Sequence, residues 1–291
     1  MKIIETEHLS KYYGKIKGID DVNLSVDAGD FYGFIGPNGA GKSTTIRTLL
    51  GFIKPTSGQA LIFGKDIGKF SVDIRSDVGY LPSETDFYKG MHVKDVIALS
   101  AKLRKKDCSQ EAKFLCDRLS LDVEKKADQL SFGNRKKLGI VCAFQHRPSL
   151  YILDEPTSGL DPLIQREFFD LLKERNAKGA TVFLSSHVLS EIQKHCRKAA
   201  IIRQGKIVAS GNVESLSKAN AKRVTIHGAS DIPSLEGIKD IQNGLDHISF
   251  LYSGELKLLL RELASLDLSD VTIAEPDLEE VFMHYYEKEG K

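Results

Sequence analysis

The chain has no apolar run approaching the roughly 18 residues that a bilayer-spanning helix needs, so no transmembrane segment is expected. An excess of charge of either sign is missing as well. Lys and Arg total 41 against 40 for Asp and Glu, and no overall field recruits nucleic acid or anionic lipid. The four cysteines, Cys108, Cys116, Cys142 and Cys196, show no Cys-x-x-Cys pair and no metal-ligand spacing. Buried or free thiols in a reducing compartment are the expectation. Residues 1–10 carry Glu5 and Glu7 and lack the apolar core of a signal peptide, which points to a chain that stays in the cytoplasm. Internal repeats and low-complexity tracts are absent too. What remains is an ordinary globular composition, 41 % hydrophobic and 28 % charged, in 291 residues, enough for about two domains.

Against this plain background one segment stands out: Gly36-Pro37-Asn38-Gly39-Ala40-Gly41-Lys42-Ser43-Thr44, a complete phosphate-binding P-loop. The apolar residues Phe31, Tyr32, Phe34 and Ile35 supply the strand that such a loop must follow. Thr45, Ile46, Leu49 and Leu50 supply the helical spacing that must come after it. Glycines at 36, 39 and 41 let backbone N–H groups turn inward around an anion, and the following helix directs its positive end at the same point. Lys42 would reach the β- and γ-phosphates of a nucleoside triphosphate, and the Ser43 hydroxyl would ligate Mg²⁺.

The order of patterns along the chain indicates an α/β protein. Alternating segments near 3–6 and 19–26, with a turn at Tyr13-Gly14, read as an antiparallel layer. Short apolar runs at 31–35, 149–153, 181–185 and 199–203 read as doubly covered parallel strands, and 206–209 closes a ribbon turned at Gln204-Gly205. Helical patterns at 93–103, 111–119 and 135–145 form an inserted helical subdomain, about 88–148. Beyond residue 217 the expectation is a small α+β appendage, 218–291. Its strands are expected at 223–226, 247–252 and 270–273, with a helix at 255–266 and a last helix near Asp277.

A second chemical motif is Leu150-Tyr151-Ile152-Leu153-Asp154-Glu155, an apolar strand ending in two carboxylates. Parallel strands present their carboxyl ends to the ligand crevice, so Asp154 would hold the Mg²⁺ shell and Glu155 would orient or deprotonate the attacking water. With the following Pro156-Thr157-Ser158-Gly159-Leu160-Asp161, this string resembles the Walker B and D-loop of the ATP-binding cassette (ABC) ATPases. The resemblance runs over residues 3–215, with the motifs in the family's order. It implies a P-loop NTPase core over 1–217 that pairs head-to-tail in a nucleotide-dependent way, with itself or a related ATPase, around two ATP molecules.

The resemblance also implies roles for residues that carry no strong signal alone. Leu130-Ser131-Phe132-Gly133-Asn134 stands where the family has Leu-Ser-Gly-Gly-Gln; Ser131 and Gly133 are kept, Phe132 and Asn134 depart. Ser131 would bring a helix N-terminus to the partner's γ-phosphate, or be only a helix N-cap. His187 resembles the switch histidine that contacts the γ-phosphate. Tyr13 matches the aromatic that stacks on adenine, the alternative being a packed strand aromatic. The family's Q-loop glutamine falls on Ser83, a shorter side chain for which a water molecule or Glu84 would have to substitute. The basic clusters at 102–106 and 135–137 read first as solvated helix faces, with docking near a membrane protein as the other reading.

The implied function is the ATP-hydrolysing subunit of an ABC transporter, peripheral at the cytoplasmic face of the membrane, with a permease on a separate chain. Residues 275–282, Glu-Pro-Asp-Leu-Glu-Glu-Val-Phe, resemble the tail of ATPases serving bacterial exporters of drugs, antibiotics or polymers. A soluble ABC ATPase acting on ribosomes or DNA fits less well with a single cassette, no sustained heptads and a near-zero net charge. A non-hydrolysing regulatory module is opposed by Glu155 and His187. A small GTPase is excluded, because no Asn-Lys-x-Asp guanine reader occurs.

Overall fold

The computed structural model describes residues 1–217, 222–228, 232–233, 235–244 and 246–274. Residues 1–27 alternate apolar and polar side chains and form two long antiparallel strands, β1 (Lys2–Tyr13) and β2 (Ile16–Asp27). The alternation puts Ile4, Leu9, Ile19 and Val22 into the core. Next come β3 (Phe31–Ile35), buried at every position, and α1 (Lys42–Leu49). Strands β4 (Ser57–Ile62) and β5 (Lys65–Asp66) then complete a four-stranded sheet in the order β2-β1-β4-β5.

After α2 (Ser71–Asp77) and β6 (Val78–Leu81) the chain leaves the sheet for α3 (Val93–Leu103), α4 (Ser109–Arg118), a 3₁₀ turn at Ala127–Gln129 and α5 (Phe132–Phe144). It returns through β7 (Leu150–Asp154), α6 (Pro162–Ala177), β8 (Thr181–Ser186), α7 (Leu189–His195), β9 (Lys198–Arg203) and β10 (Lys206–Asn212). The second sheet has the order β10-β9-β3-β8-β7-β6, with β9, β3, β8, β7 and β6 running parallel. Such strands are covered on both faces, and this is why they read as continuous apolar runs. Phe183 in β8 lies between Tyr32 and Phe34 of β3, with ring centroids 6.0 and 5.3 Å away. Gln204 and Gly205 both take positive φ, 47° and 81°, the geometry of a two-residue hairpin between β9 and β10.

Ion pairs fasten the helical insertion to α6. Buried Glu111 of α4 accepts from Arg147 and Arg175, and Arg118 pairs with Glu167 and Glu174. A buried pair of this kind fixes position more surely than it adds stability.

The chain divides into two units, Met1–Ser210 and Gly211–Lys291. The second unit holds α8 (Val213–Ser217), β11 (Lys222–His227), β12 (Ile238–Asn243), β13 (His247–Tyr252), α9 (Leu256–Leu263) and β14 (Asp270–Ala274). Its antiparallel sheet runs β12-β13-β11-β14. Val224, Ile226, Phe250 and Tyr252 of the sheet pack against Leu259 and Leu263 of α9, giving this unit its own core. The helix expected near Asp277 lies outside the described residues. Among the described residues no helix is long and apolar enough to cross a membrane.

Candidate functional site

The loop from Gly36 to Gly41 joins the carboxyl end of β3, an interior strand, to α1, on the side of the parallel sheet where ligands bind in open α/β folds. Gly41 caps α1 with φ 111°, and a Cβ there would lie 2.8 Å from the Gly18 carbonyl oxygen, so only glycine fits. Lys42, the first helical residue, is 5 % exposed. Its ammonium donates to the carbonyls of Gly36 (2.6 Å) and Pro37 (3.1 Å), which curls the loop around the lysine. Ser43 and Thr44 are half-buried at the same helix end, while Asn38 and Gly39 are exposed at the loop tip.

β7 delivers the two carboxylates beside this loop, with α1 packed against it. Asp154 is fully buried; Oδ1 accepts from Ser185 Oγ at 2.6 Å and Oδ2 has no hydrogen-bond partner. Glu155 leaves the strand with φ 50°, a left-handed conformation that costs a non-glycine residue about 1–2 kcal/mol. Its N–H donates to the Ser185 carbonyl at 3.2 Å and approaches Ser185 Oγ at 3.3 Å, and these contacts hold the bend. The turned side chain then spans the site. Oε1 lies 3.1 Å from Lys42 Nζ, an ion pair without hydrogen-bond angles, and Oε2 meets His187 Nδ1 at 2.5 Å. His187 follows β8, is half exposed, and so completes a Lys42–Glu155–His187 row.

Tyr13 ends β1 and is 46 % exposed rather than packed in the core, with Lys11 Nζ 5.3 Å from its ring centroid. A Cβ on Gly18 would meet both Tyr13 Cε2 (3.0 Å) and Thr44 Cγ2 (3.1 Å), so the ring stands next to the P-loop helix. Ser131 and Gly133 belong to the start of α5. Ser131 caps α5, its hydroxyl accepting from the Asn134 N–H at 3.4 Å, and a Cβ on Gly133 would meet the Gly159 carbonyl at 2.8 Å. Among the described residues no hydrogen bond joins Ser131 to residues 36–44. The exposed Phe132 sets the edge of its ring against Gly159, coupling the start of α5 to the turn after Glu155.

Two residues escaped the sequence reading. Ser185 holds the Asp154 carboxylate and the Glu155 backbone N–H; its only signal was a Ser-Ser pair at the carboxyl end of an otherwise apolar strand. Lys136, expected on a solvated face, is 1 % exposed, because α5 turns residues 136, 139, 140 and 143 toward β6 and the segment after it. Lys136 Nζ donates to the carbonyls of Pro82 (3.0 Å) and Ser83 (2.9 Å). Burial pushes its pKa down to about 8, against the opposing pull of Asp154 and Glu155. The neighbouring Glu84 is exposed, so the polar arm that reaches Ser83 is Lys136. In the other basic cluster, Arg104 is half-buried, with burial lowering its pKa, and donates to Ser100; Lys106 pairs with Asp77.

A sequence profile described as "ABC transporter" matches residues 19–158. The bacitracin transport ATP-binding protein BcrA of Bacillus licheniformis is 36 % identical over 299 residues, covering 97 % of this chain and 96 % of that protein. The chain belongs to the ABC transporter ATP-binding protein family. A solved ATP-binding subunit of an ABC transporter is 31 % identical with TM-score 0.70, covering 74 % of this chain and 92 % of that one. A dimeric, post-hydrolysis ATP-binding cassette carrying ADP and Pi has the same fold, at 21 % identity and TM-score 0.64 over 72 % of this chain and 98 % of that one. This ABC ATPase therefore binds ATP and hydrolyses it as the ATP-binding subunit of a transporter. Its mixed α/β fold, with an antiparallel sheet beside a parallel P-loop sheet, is the one read from the sequence.

Proposed function

We propose that hydrolysis takes place at the Lys42–Glu155–His187 row and drives a permease carried on a separate chain, in the direction of export. The observation that supports this most is the Glu155 carboxylate, held by backbone strain and Ser185 so that one oxygen faces Lys42 and the other His187. In this reading the N–H groups of residues 36–44 cradle the phosphates and Lys42 exchanges its carbonyl contacts for the β- and γ-phosphates. Tyr13 stacks on the adenine. Glu155 takes the proton of a water attacking in line, and His187 bears on the γ-phosphate as charge spreads over it.

Mg²⁺ fits the donor set: Asp154 offers a buried carboxylate oxygen with no hydrogen-bond partner and Ser43 a hydroxyl, both hard ligands. Held there, the ion would neutralise charge on the phosphate oxygens. Ser131 and Gly133, placed at the start of α5 and not on the P-loop, act on the nucleotide of a second copy or a related ATPase. The dimeric cassette among the structural relatives supports this pairing. ATP closes the pair and hydrolysis reopens it, and that alternation moves the permease. The catalytic cassette is taken as residues 1–217, with 218–291 as an appended unit.

Bacitracin transport is named for one relative, and the export direction here rests on that likeness. The test is to tag the full chain, solubilise the membranes of its cell gently and identify what co-purifies. A stoichiometric polytopic membrane protein is expected. Recovery only from the soluble fraction, with ribosomes or alone, would contradict the permease.

A further inference from the structure

We infer that Lys136 is a positioning residue for hydrolysis: from the first turns of α5 it clamps the Pro82–Ser83 backbone beside the catalytic strand. The inference rests on the ATPase reading above and adds to it a residue that touches neither nucleotide nor P-loop.

The geometry that supports it is unusual for a lysine. Fully buried lysines are rare, because an ammonium leaves water only where other groups take over its hydrogen bonds. Lys136 is 1 % exposed, and two of its three N–H donors go to adjacent carbonyls, Pro82 at 3.0 Å and Ser83 at 2.9 Å. Those carbonyls belong to the first residues after β6, and β6 pairs in register with β7, Leu81 opposite Leu153. After Leu153 come Asp154, the last residue of β7, and the bent Glu155, whose negative charges both act on the ammonium. At the other end of the link, Lys136 lies about one turn beyond Gly133 in the helix that Ser131 caps. One turn further on, Gly139 lets α5 close on the same segment, since a Cβ there would fall 2.8 Å from Thr85 Cγ2 and 2.9 Å from Leu81 Cδ1.

A single side chain thus joins the helix that presents Ser131 to the segment bordering Asp154 and Glu155. Position 83 carries serine, too short to reach far from its own backbone, so the long polar arm between these elements comes from α5. A movement of α5 against the sheet must carry the 82–83 backbone with it or break two hydrogen bonds in a dry site. The consequence is a split in kinetics. Removing the arm should leave ATP affinity intact, because Lys42 and residues 36–44 are untouched, and should slow turnover.

The test compares the purified full chain with Lys136→Met, which keeps length and loses every donor, and Lys136→Arg, which can fork onto both carbonyls. ATP-binding stoichiometry, KM and kcat per binding site are measured, with amide exchange over residues 83–87. Expected for Lys136→Met are full stoichiometry, KM within twofold, kcat lowered at least tenfold and faster exchange at 83–87. Lys136→Arg is expected to recover kcat to within threefold of the wild type. Unchanged kcat in Lys136→Met overturns the inference. So does a fall in stoichiometry that accounts for the whole loss of rate, which would make the lysine a folding residue alone. Should Lys136→Met fail to fold, Lys136→Gln, able to reach one carbonyl, is measured identically; unchanged kcat there overturns the inference as well. A wild-type chain that binds no ATP would instead overturn the ATPase reading.

Discussion

Replacing Glu155 by glutamine isolates the role of its charge, because the two side chains have nearly the same shape. Glu155 is mostly buried, its carboxylate lies 3.1 Å from the Lys42 ammonium, and its other oxygen meets His187. Glu155→Gln keeps the volume and the Ser185 contacts to the backbone but removes the base and the anion. A positioned general base is worth roughly 10²–10⁴ in rate, or about 3–5 kcal/mol of barrier, and kcat should fall by that factor. Affinity for ATP should hold or rise, because a negative charge beside the γ-phosphate has been removed while Lys42 remains. Bound but uncleaved, ATP should accumulate a closed dimer. The assay combines phosphate release, equilibrium binding of Mg·ATP and sedimentation with and without nucleotide. Turnover within threefold of the wild type would refute the assignment and require another base.

Other parts of the account can be tested in the same way. Phe183→Ala opens a cavity between Tyr32 and Phe34 in the central sheet and should cost about 3–5 kcal/mol in urea unfolding, whereas a loss below 1 kcal/mol would contradict its place in the core. Tyr13→Ala should raise KM for ATP roughly fivefold or more and leave kcat alone, as loss of about 1 kcal/mol of base stacking would; an unchanged KM would remove Tyr13 from the site. His146 is buried, and burial first, then the charges of Arg104 and Lys106, pushes its pKa down to about 3. Above pH 6.5 neither state binds its proton; as pH falls from 6.5 toward 3 only the unfolded chain does, so up to about 5 kcal/mol of stability drains away. His146→Gln should flatten that part of the stability–pH curve, and parallel curves for the two proteins would show that His146 is not the cause.

Features written in consecutive residues were legible in the sequence. The P-loop needs its glycines and Lys42 within one turn of backbone, and the carboxylates come at the end of one strand, so local spacing carries both. Strands β3, β7, β8 and β9 were legible because burial on both faces leaves an unbroken apolar run. β4 and β12 were not, since their exposed, polar positions leave only a faint pattern. β6 is short and includes Gly79, which has no side chain because a Cβ would strike the Ala143 carbonyl at 2.5 Å. The burial of Lys136 was hidden for a different reason. Its flanking residues Arg135 and Lys137 make it look like a charged helix face, and its partners lie 53 and 54 positions away. The Lys42–Glu155–His187 row was anticipated as roles, but the contact that Glu155 makes with both neighbours depends on a left-handed backbone angle that no residue type announces.

The most direct measurement is phosphate release from Mg·ATP by the purified chain, run beside Lys42→Ala. Lys42 is buried with its ammonium on the P-loop carbonyls, and it stands outside the apolar core cluster of the sheets. The account predicts magnesium-dependent turnover by the wild-type protein and a variant reduced to background that no longer binds ATP. Phosphate release by Lys42→Ala at the wild-type rate would contradict the placement of hydrolysis at this loop.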